Sequence, residues 1–206
     1  MTETKDNNSR NLWIAVVLMF ILAFTVGYVV KTQLHPKPIT ETSNGFLFTK
    51  QGNFWTTVIK NKAINREYNL EFRYSPSQVK NVTVQGDPTN FFTLLKLNNL
   101  TAAYFTFNPN ENLSFLNLVA ADSAHLLNSL NGVTLVAGCT VNQTSACADR
   151  PIITCENQLD KALVIYAKPG PVPKVTMQKN CLIIEGQGED IIRASTKLYF
   201  MWYGII

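Results

Sequence analysis

Charged side chains are scarce in this chain of 206 residues. Asp, Glu, Lys and Arg together make up 16% of it, whereas about 25% is usual in soluble domains. The net charge is +4, and no run of Lys or Arg alternates with aromatic residues. Proteins that bind nucleic acids concentrate basic residues on one surface, so we expect no nucleic-acid partner.

Histidines and catalytic motifs are also scarce. The two histidines are His35 and His125, and Asp122 precedes His125 by about one helical turn. Ser123 is adjacent in sequence but falls on another face of a helix, and no G-x-S-x-G motif marks a nucleophile elsewhere. The pattern favours an ordinary, partly exposed histidine over a hydrolytic triad, and we predict no catalytic residues.

A glycine-rich phosphate loop is suggested only by Gly186-Gln187-Gly188. This turn lies between an apolar run and a predicted helix, as nucleotide-binding loops do. The third glycine of the dinucleotide fingerprint is missing, and Glu189 and Asp190 place negative charge where a phosphate would bind. We therefore predict no cofactor.

Carboxylates number 14 in the whole chain. An enzyme that hydrolyses an envelope polymer would need two of them facing one another across the scissile bond. The residues that could gather at one end of a sheet are Glu156, Asp160, Glu185, Glu189 and Asp190. Ordinary solvent-exposed acids account for these residues equally well. We therefore favour a non-enzymatic domain, with a membrane-tethered hydrolase as the alternative.

A long apolar run lies near the N-terminus, behind a short tail at residues 1–11. Residues 12–30 carry no charge, and at about 1.5 Å per residue they span roughly 28 Å, close to the thickness of a bilayer core. Trp13 and Tyr28 lie near its ends, where aromatic rings favour the membrane interface. We predict a transmembrane helix at 12–30. A cleaved signal peptide is the competing interpretation, although its apolar core is usually shorter, about 7–15 residues.

Four cysteines lie in the last third of the chain: Cys139, Cys147, Cys155 and Cys181. An even, clustered set is typical of two disulfides in an oxidising compartment. No C-x-x-C pair or nearby histidine is present, which argues against a zinc site, and we predict no bound metal. Three pairings exist. We favour Cys139–Cys147, which closes a polar loop, and Cys155–Cys181, which ties two predicted strands; free buried thiols are the remaining alternative.

The topology prediction depends mainly on these cysteines, because the charges flanking the apolar run hardly distinguish the two orientations. We expect the N-terminus in the cytoplasm and the domain outside it. Asn-x-Ser/Thr sequons begin at Asn7 in the tail and, as candidate glycosylation sites, at Asn81, Asn99, Asn112 and Asn142. In so Asn-rich a chain, these sequons are weak evidence.

Residues 31–44 are polar and contain two prolines, which predicts a stalk. Residues 45–206 are predicted to form one α/β (mixed α+β) domain that begins with a β-hairpin, because two aromatic, β-branched runs flank a Gly-Asn turn at 52–53.

A βαβ unit is predicted in the middle of this domain. A strand at 100–107, a helix at 111–130 and a strand at 133–139 follow one another with short joints, so the two strands should be parallel and adjacent or nearly adjacent. Another helix, capped by Asp87, is expected to end at Leu97. Antiparallel strands and a closing helix complete the domain: strands at 67–74, 81–85, 151–155, 162–167, 174–178 and 181–185, and a helix at 189–203.

Asn108-Pro109-Asn110 and Gly138-Cys139 follow the two parallel strands, at the sheet edge where α/β proteins bind ligands. Helix capping and a disulfide loop explain the same residues. The sequence thus predicts a single-pass envelope or surface protein with a non-enzymatic interaction or scaffold domain, with the lipid bilayer around residues 12–30 and a protein partner at the cell surface. A pilin-like subunit has the same layout, but the processing-site residues of pilins are missing.

Overall fold

The computed structural model describes residues 7–34, 37–61, 64–111, 114–157 and 162–206. The chain divides into two compact units, Met1–Ile39 and Thr40–Ile206. The second unit is a mixed α+β domain with two sheets and a C-terminal helix, so the predicted fold class is confirmed.

The described residues of the first unit form one helix, α1 (Asn7–Leu34). Its segment Asn11–Lys31 is long and apolar enough to cross a membrane. Apart from the partly exposed Val16, the large apolar side chains of this segment are exposed, from 46% for Val30 to 78% for Phe24. A helix that is apolar on every face has no polar side to turn toward water, so its surface suits a lipid environment.

The second unit begins with a four-stranded antiparallel sheet in sequence order: β1 (Thr40–Ser43), β2 (Phe46–Gln51), β3 (Phe54–Asn61) and β4 (Arg66–Phe72). The predicted hairpin is the β2–β3 pair, which turns at Gly52 with φ +59°. One face of this sheet is buried, and Trp55 and Phe72 lie opposite each other on it.

The start of the domain differs from the prediction. Thr40–Ser43, expected to belong to the stalk, pairs with β2 as a strand. Ser43 Oγ donates to the Ile205 carbonyl at 2.6 Å, and Glu41 accepts the Ser77 backbone N–H at 2.7 Å. A polar edge strand is bound through backbone and side-chain hydrogen bonds, so its composition resembles that of a stalk.

The second sheet has six strands in the order β5-β9-β10-β8-β6-β7. Strands β6, β7, β8 and β10 are parallel; β9 is antiparallel to β10, and β5 is parallel to β9. Their bounds are β5 Thr83–Gln85, β6 Ala102–Phe107, β7 Thr134–Ala137, β8 Val164–Lys168, β9 Lys174–Gln178 and β10 Cys181–Glu185.

Within its described residues, this domain has three α-helices: α2 (Asn90–Leu97), α3 (Leu116–Asn131) and α4 (Glu189–Trp202). The βαβ prediction is confirmed, because α3 connects β6 to β7 and these strands are adjacent and parallel. Gly132, at φ +67°, ends α3 as expected.

The predicted starts of α2 and α3 are too early, whereas α4 begins at Glu189 as predicted. Asn108 accepts the backbone N–H of Asn110 at 3.1 Å through its side chain and that of Glu111 at 3.1 Å through its carbonyl, which forms a turn ahead of α3. Likewise, Asp87 Oδ1 accepts the Thr89 N–H at 2.9 Å, so the chain turns once before α2 begins. Asn and Asp side chains stabilise such turns as readily as helix caps.

The strand predicted at 151–155 is wrong. Ile152 makes one isolated parallel bridge, with Cys139. Beyond it, the Thr154 N–H and hydroxyl both donate to Asn157 Oδ1, at 2.6 and 2.9 Å, and this local turn replaces a strand ladder. Ile153 still packs with Val164 and Cys181 in a small second core.

Candidate functional site

A charged cleft of about 270 Å³ lies between β4, α3 and α4. Its polar lining includes Glu71, Arg73, Asp122 and His125, which approach from the strand and from α3. Its apolar lining comes from both sheet and helices: Leu70, Phe72, Leu126, Ile192 and Tyr199. The fold thus brings the predicted Asp122–His125 pair to a concave surface.

Asp122 is the perturbed acid in this cleft. Burial raises its pKa above the usual 3.8, while the charges of Arg73 and His125 act in the opposite direction. Asp122 is half-buried, and within the described residues it makes no hydrogen bond or ion pair. His125 and Arg73 are exposed. The cleft therefore offers side chains of opposite charge to a polar ligand, and no ion pair among the described residues joins them.

Ser123 does not complete a hydrolytic triad. It is fully buried, its hydroxyl donates to the Val119 carbonyl at 2.7 Å, and it lies 2.7 Å from the Tyr199 hydroxyl. The Tyr199 hydroxyl also donates to the Val119 carbonyl at 3.2 Å, and burial raises the Tyr199 pKa. These contacts hold α3 against α4, on the other face of α3 from His125, as its helical position predicts.

Asp122→Asn should stabilise the domain at pH 7. The folded-state pKa of Asp122 is raised, so its charged form costs stability above that pKa, and the cost disappears as pH falls toward 3.8. Urea unfolding at pH 7 and pH 3.5 measures this directly. The variant should be the more stable protein at pH 7 and match the unchanged protein at pH 3.5; a destabilised variant at pH 7 would contradict the buried-charge explanation.

The candidate hydrolytic acids mostly have separate partners. Glu185 lies between two lysines, 3.3 Å from Lys168 and 3.7 Å from Lys174. Glu189 accepts a hydrogen bond from Tyr74 at 2.8 Å. Asp190 lies 3.7 Å from Arg193, Glu156 is exposed, and Asp160 is outside the described residues, as is His35.

The Gly186-Gln187-Gly188 turn has a steric explanation. A Cβ at Gly186 would lie 2.5 Å from the backbone nitrogen of Ile191, so only glycine allows the turn to approach α4 this closely. Gly188 precedes α4 at φ +57°, a conformation that favours glycine. Close packing at Gly186 and the backbone conformation at Gly188 therefore account for the two glycines without a phosphate.

A second concave surface, which we call the edge groove, lies between α3 and strands β6 and β7. It measures about 250 Å³ and is mainly apolar; its lining is Phe105, Phe107, Leu116, Asn117, Ala120, Ala124, Leu135, Ala137 and Arg150. The Arg150 guanidinium lies 6.0 Å from the centre of the Phe107 ring. The groove opens beside the last strand of the sheet.

The predicted carboxyl-edge residues come together near this groove. Asn110 donates to Gln143 in the disulfide loop, and Gly138 N–H donates to the Phe105 carbonyl at 2.8 Å. The loop is closed by a disulfide between Cys139 and Cys147, with Cα atoms 6.0 Å apart. These contacts connect the segment that follows β6 to the disulfide loop that follows β7.

The second disulfide joins Cys155 to Cys181, with Cα atoms 5.5 Å apart. Both distances lie within the usual range for bridged cysteines, and the pairing is the one favoured from the sequence.

Among the described residues, no group of three or more His, Cys, Asp or Glu is placed to hold a metal. Of the candidate glycosylation sites, Asn81, Asn99 and Asn142 are exposed, and Asn112 is outside the described residues.

Glu71, Arg73 and Arg150 line the two surfaces but are not marked by any pattern in the sequence. Glu71 and Arg73 face α3 only because β4 packs beside it, and Arg150 reaches Phe107 only through the path of the disulfide loop. No local motif marks such residues, since each is defined by contacts with segments distant in sequence.

Comparisons with family models, curated proteins and solved structures find no significant match to this chain.

Proposed function

We propose that this chain is a single-pass membrane protein whose domain, Thr40–Ile206, lies outside the cytoplasm and binds a protein partner without catalysing a reaction. One observation carries the proposal: an apolar helical segment with no buried side chain, Asn11–Lys31, precedes a domain whose four cysteines form two disulfides. The helix suits insertion in a bilayer, and the disulfides suit an oxidising compartment.

The contacts of the candidate catalytic residues favour binding over catalysis. An activated serine needs a base within hydrogen-bond reach and an open approach for substrate, whereas the Ser123 hydroxyl is buried between Val119 and Tyr199. Paired acids for glycoside hydrolysis must both face the substrate, whereas Glu185 is held between two lysines. A mixed-charge cleft and an apolar groove are surfaces that a partner protein can occupy.

Cysteine labelling in intact cells tests the orientation. Lys80→Cys places a thiol on the exposed surface of the domain, and Lys5→Cys places one in the tail. We expect a membrane-impermeant maleimide to label the first variant in intact cells and the second only after permeabilisation. The reverse pattern would reject an external domain.

N-terminal sequencing of the membrane-bound protein tests whether the anchor is retained. We expect the sequence to begin before Leu12. A mature protein beginning near Tyr28 would show that α1 is a cleaved signal peptide, and the domain would then be released from the membrane.

A further inference from the structure

The edge groove lies beside a strand with unpaired backbone groups. Strand β7 is at the end of its sheet, and the N–H groups of Thr134 and Gly138 donate toward β6, to Thr101 and Phe105 carbonyls at 2.9 and 2.8 Å. Successive residues of a strand alternate in direction, so the N–H and C=O groups of Leu135 face outward, as do those of Ala137. In the described part of the chain, no strand pairs with them.

The groove has space for a side chain because α3 is lined with alanines at this point. Ala120 and Ala124 face the sheet across the groove, where larger residues would fill the gap. Leu135 and Ala137 lie on the same side of the sheet as Ala103 and Phe105, their partners in β6. A strand added beside β7 would therefore direct alternate side chains into an apolar space.

The position beside β7 is closed at one end by the chain itself. Cys139 continues the line of β7, and on its outer side its N–H donates to the Pro151 carbonyl at 3.0 Å and its carbonyl accepts from Ile153 at 2.8 Å. An added strand cannot continue past this segment. Arg150 precedes it and lines the groove, exposed, and among the described residues it forms no ion pair.

We propose that the edge groove binds the C-terminal segment of a partner protein. The segment lies parallel to β7, forms backbone hydrogen bonds with Leu135 and Ala137, places an apolar side chain in the groove and ends with its carboxylate at Arg150. The parallel direction follows from charge, because a parallel strand points its carboxylate at the guanidinium, whereas an antiparallel one would place an ammonium group there.

A second copy of this chain is a poorer fit as the occupant. Ile205 is fully buried and its carbonyl accepts a hydrogen bond from Ser43, so this segment is packed into its own domain and is not available to a second copy. The inference deepens the proposed function, on which it rests, by giving the interaction a site and the partner a chemical feature.

The test uses the full-length protein in lipid nanodiscs and a random heptapeptide library displayed with free C-termini. Selected peptides should share an apolar residue at or next to the C-terminus. The tightest one is then measured by fluorescence anisotropy as the free acid and as the C-terminal amide. Amidation should weaken binding roughly tenfold to a hundredfold, as expected for losing a charge-assisted hydrogen bond.

Arg150→Gln should weaken binding of the acid by a similar factor and abolish the difference between acid and amide. Arg66→Gln, at an exposed arginine on β4, is the matched control and should change neither. Ala124→Phe fills the groove and should remove binding while Arg150 remains. If Ala124→Phe proves unstable, the acid–amide comparison with Arg150→Gln still decides the matter.

Three outcomes would overturn the inference: no peptide is enriched, acid and amide bind equally well, or Arg150→Gln has no more effect than Arg66→Gln. Dimerisation that Ala124→Phe abolishes would overturn it too, because the occupant would be a second copy. These failures differ from failure of the proposed function. A domain found in the cytoplasm removes the proposed function whatever the peptide affinity, whereas failed peptide binding by an external domain leaves another surface for the partner.

Discussion

Replacing Cys155 and Cys181 together by serine should lower the free energy of unfolding by about 3.5 kcal/mol, since the disulfide closes a loop with a sequence separation of 26. The chain-entropy model relates this loss to the freedom that the unfolded chain regains when the loop opens. For a domain of this size, the loss corresponds to a fall in Tm of roughly 7–14 °C.

The other disulfide supplies the matched control. Cys139 and Cys147 are separated by 8 in sequence, so replacing both by serine should cost about 2.5 kcal/mol by the same model. Urea unfolding of both double variants, followed by Trp55 and Trp202 fluorescence, compares them. A larger loss for the short loop would contradict the entropic explanation.

The location of the long-loop disulfide gives a second reason for its importance. Cys181 begins β10 and packs with Ile153 and Val164 on the face of the six-stranded sheet opposite the main core. In the described residues this second core is small, so the crosslink to Cys155 supplies stability there that side-chain burial supplies elsewhere. Free thiols in protein isolated from its native membrane would remove both this prediction and the main argument for an external domain.

Local pattern was enough to predict most elements of the fold. The apolar run of α1 needs only hydropathy, and the β6-α3-β7 unit follows from short joints between an apolar strand and an amphipathic helix. Such a crossover has few geometric solutions, which is why the parallel pairing of β6 with β7 could be predicted before any tertiary contact was known.

Elements held by polar contacts could not be predicted in this way. Thr40–Ser43 has no apolar alternation, because it is bound through its backbone at the edge of a sheet. Conversely, residues 151–155 have the composition of a strand, but the Thr154–Asn157 turn and the bond to Cys181 decide their path. In both segments, tertiary and side-chain hydrogen bonds outweigh β propensity.

The candidate surfaces, like the fold, could be predicted from the sequence only in part. Asp122 and His125 were identified from helical spacing, yet the cleft exists because β4 and α4 pack beside α3. The edge groove depends on small residues of α3, Ala120 and Ala124, facing the last strand of a sheet. A sequence shows which residues share a face, but not which neighbouring segment that face meets.

Phe200→Ala should be among the most destabilising single changes in the domain, at about 3–5 kcal/mol. Phe200 is fully buried on α4, and its ring centre lies 5.3 Å from that of Phe48 and 4.8 Å from that of Phe72, both edge-to-face. Those two residues belong to β2 and β4. Removing the ring therefore leaves a cavity at the junction between α4 and the four-stranded sheet and breaks two aromatic contacts.

Two further variants distinguish the stability lost through the buried cavity from the stability lost by removing any phenylalanine ring. Phe54→Ala removes a partly exposed ring at the start of β3, whose described ring contact is with Arg73 at 5.2 Å, and should cost clearly less because no enclosed space is left behind. Phe200→Leu keeps most of the buried volume and should cost less than Phe200→Ala. Urea unfolding gives all three values. Equal losses for Phe54→Ala and Phe200→Ala would mean that α4 and the four-stranded sheet do not depend on Phe200 for their contact.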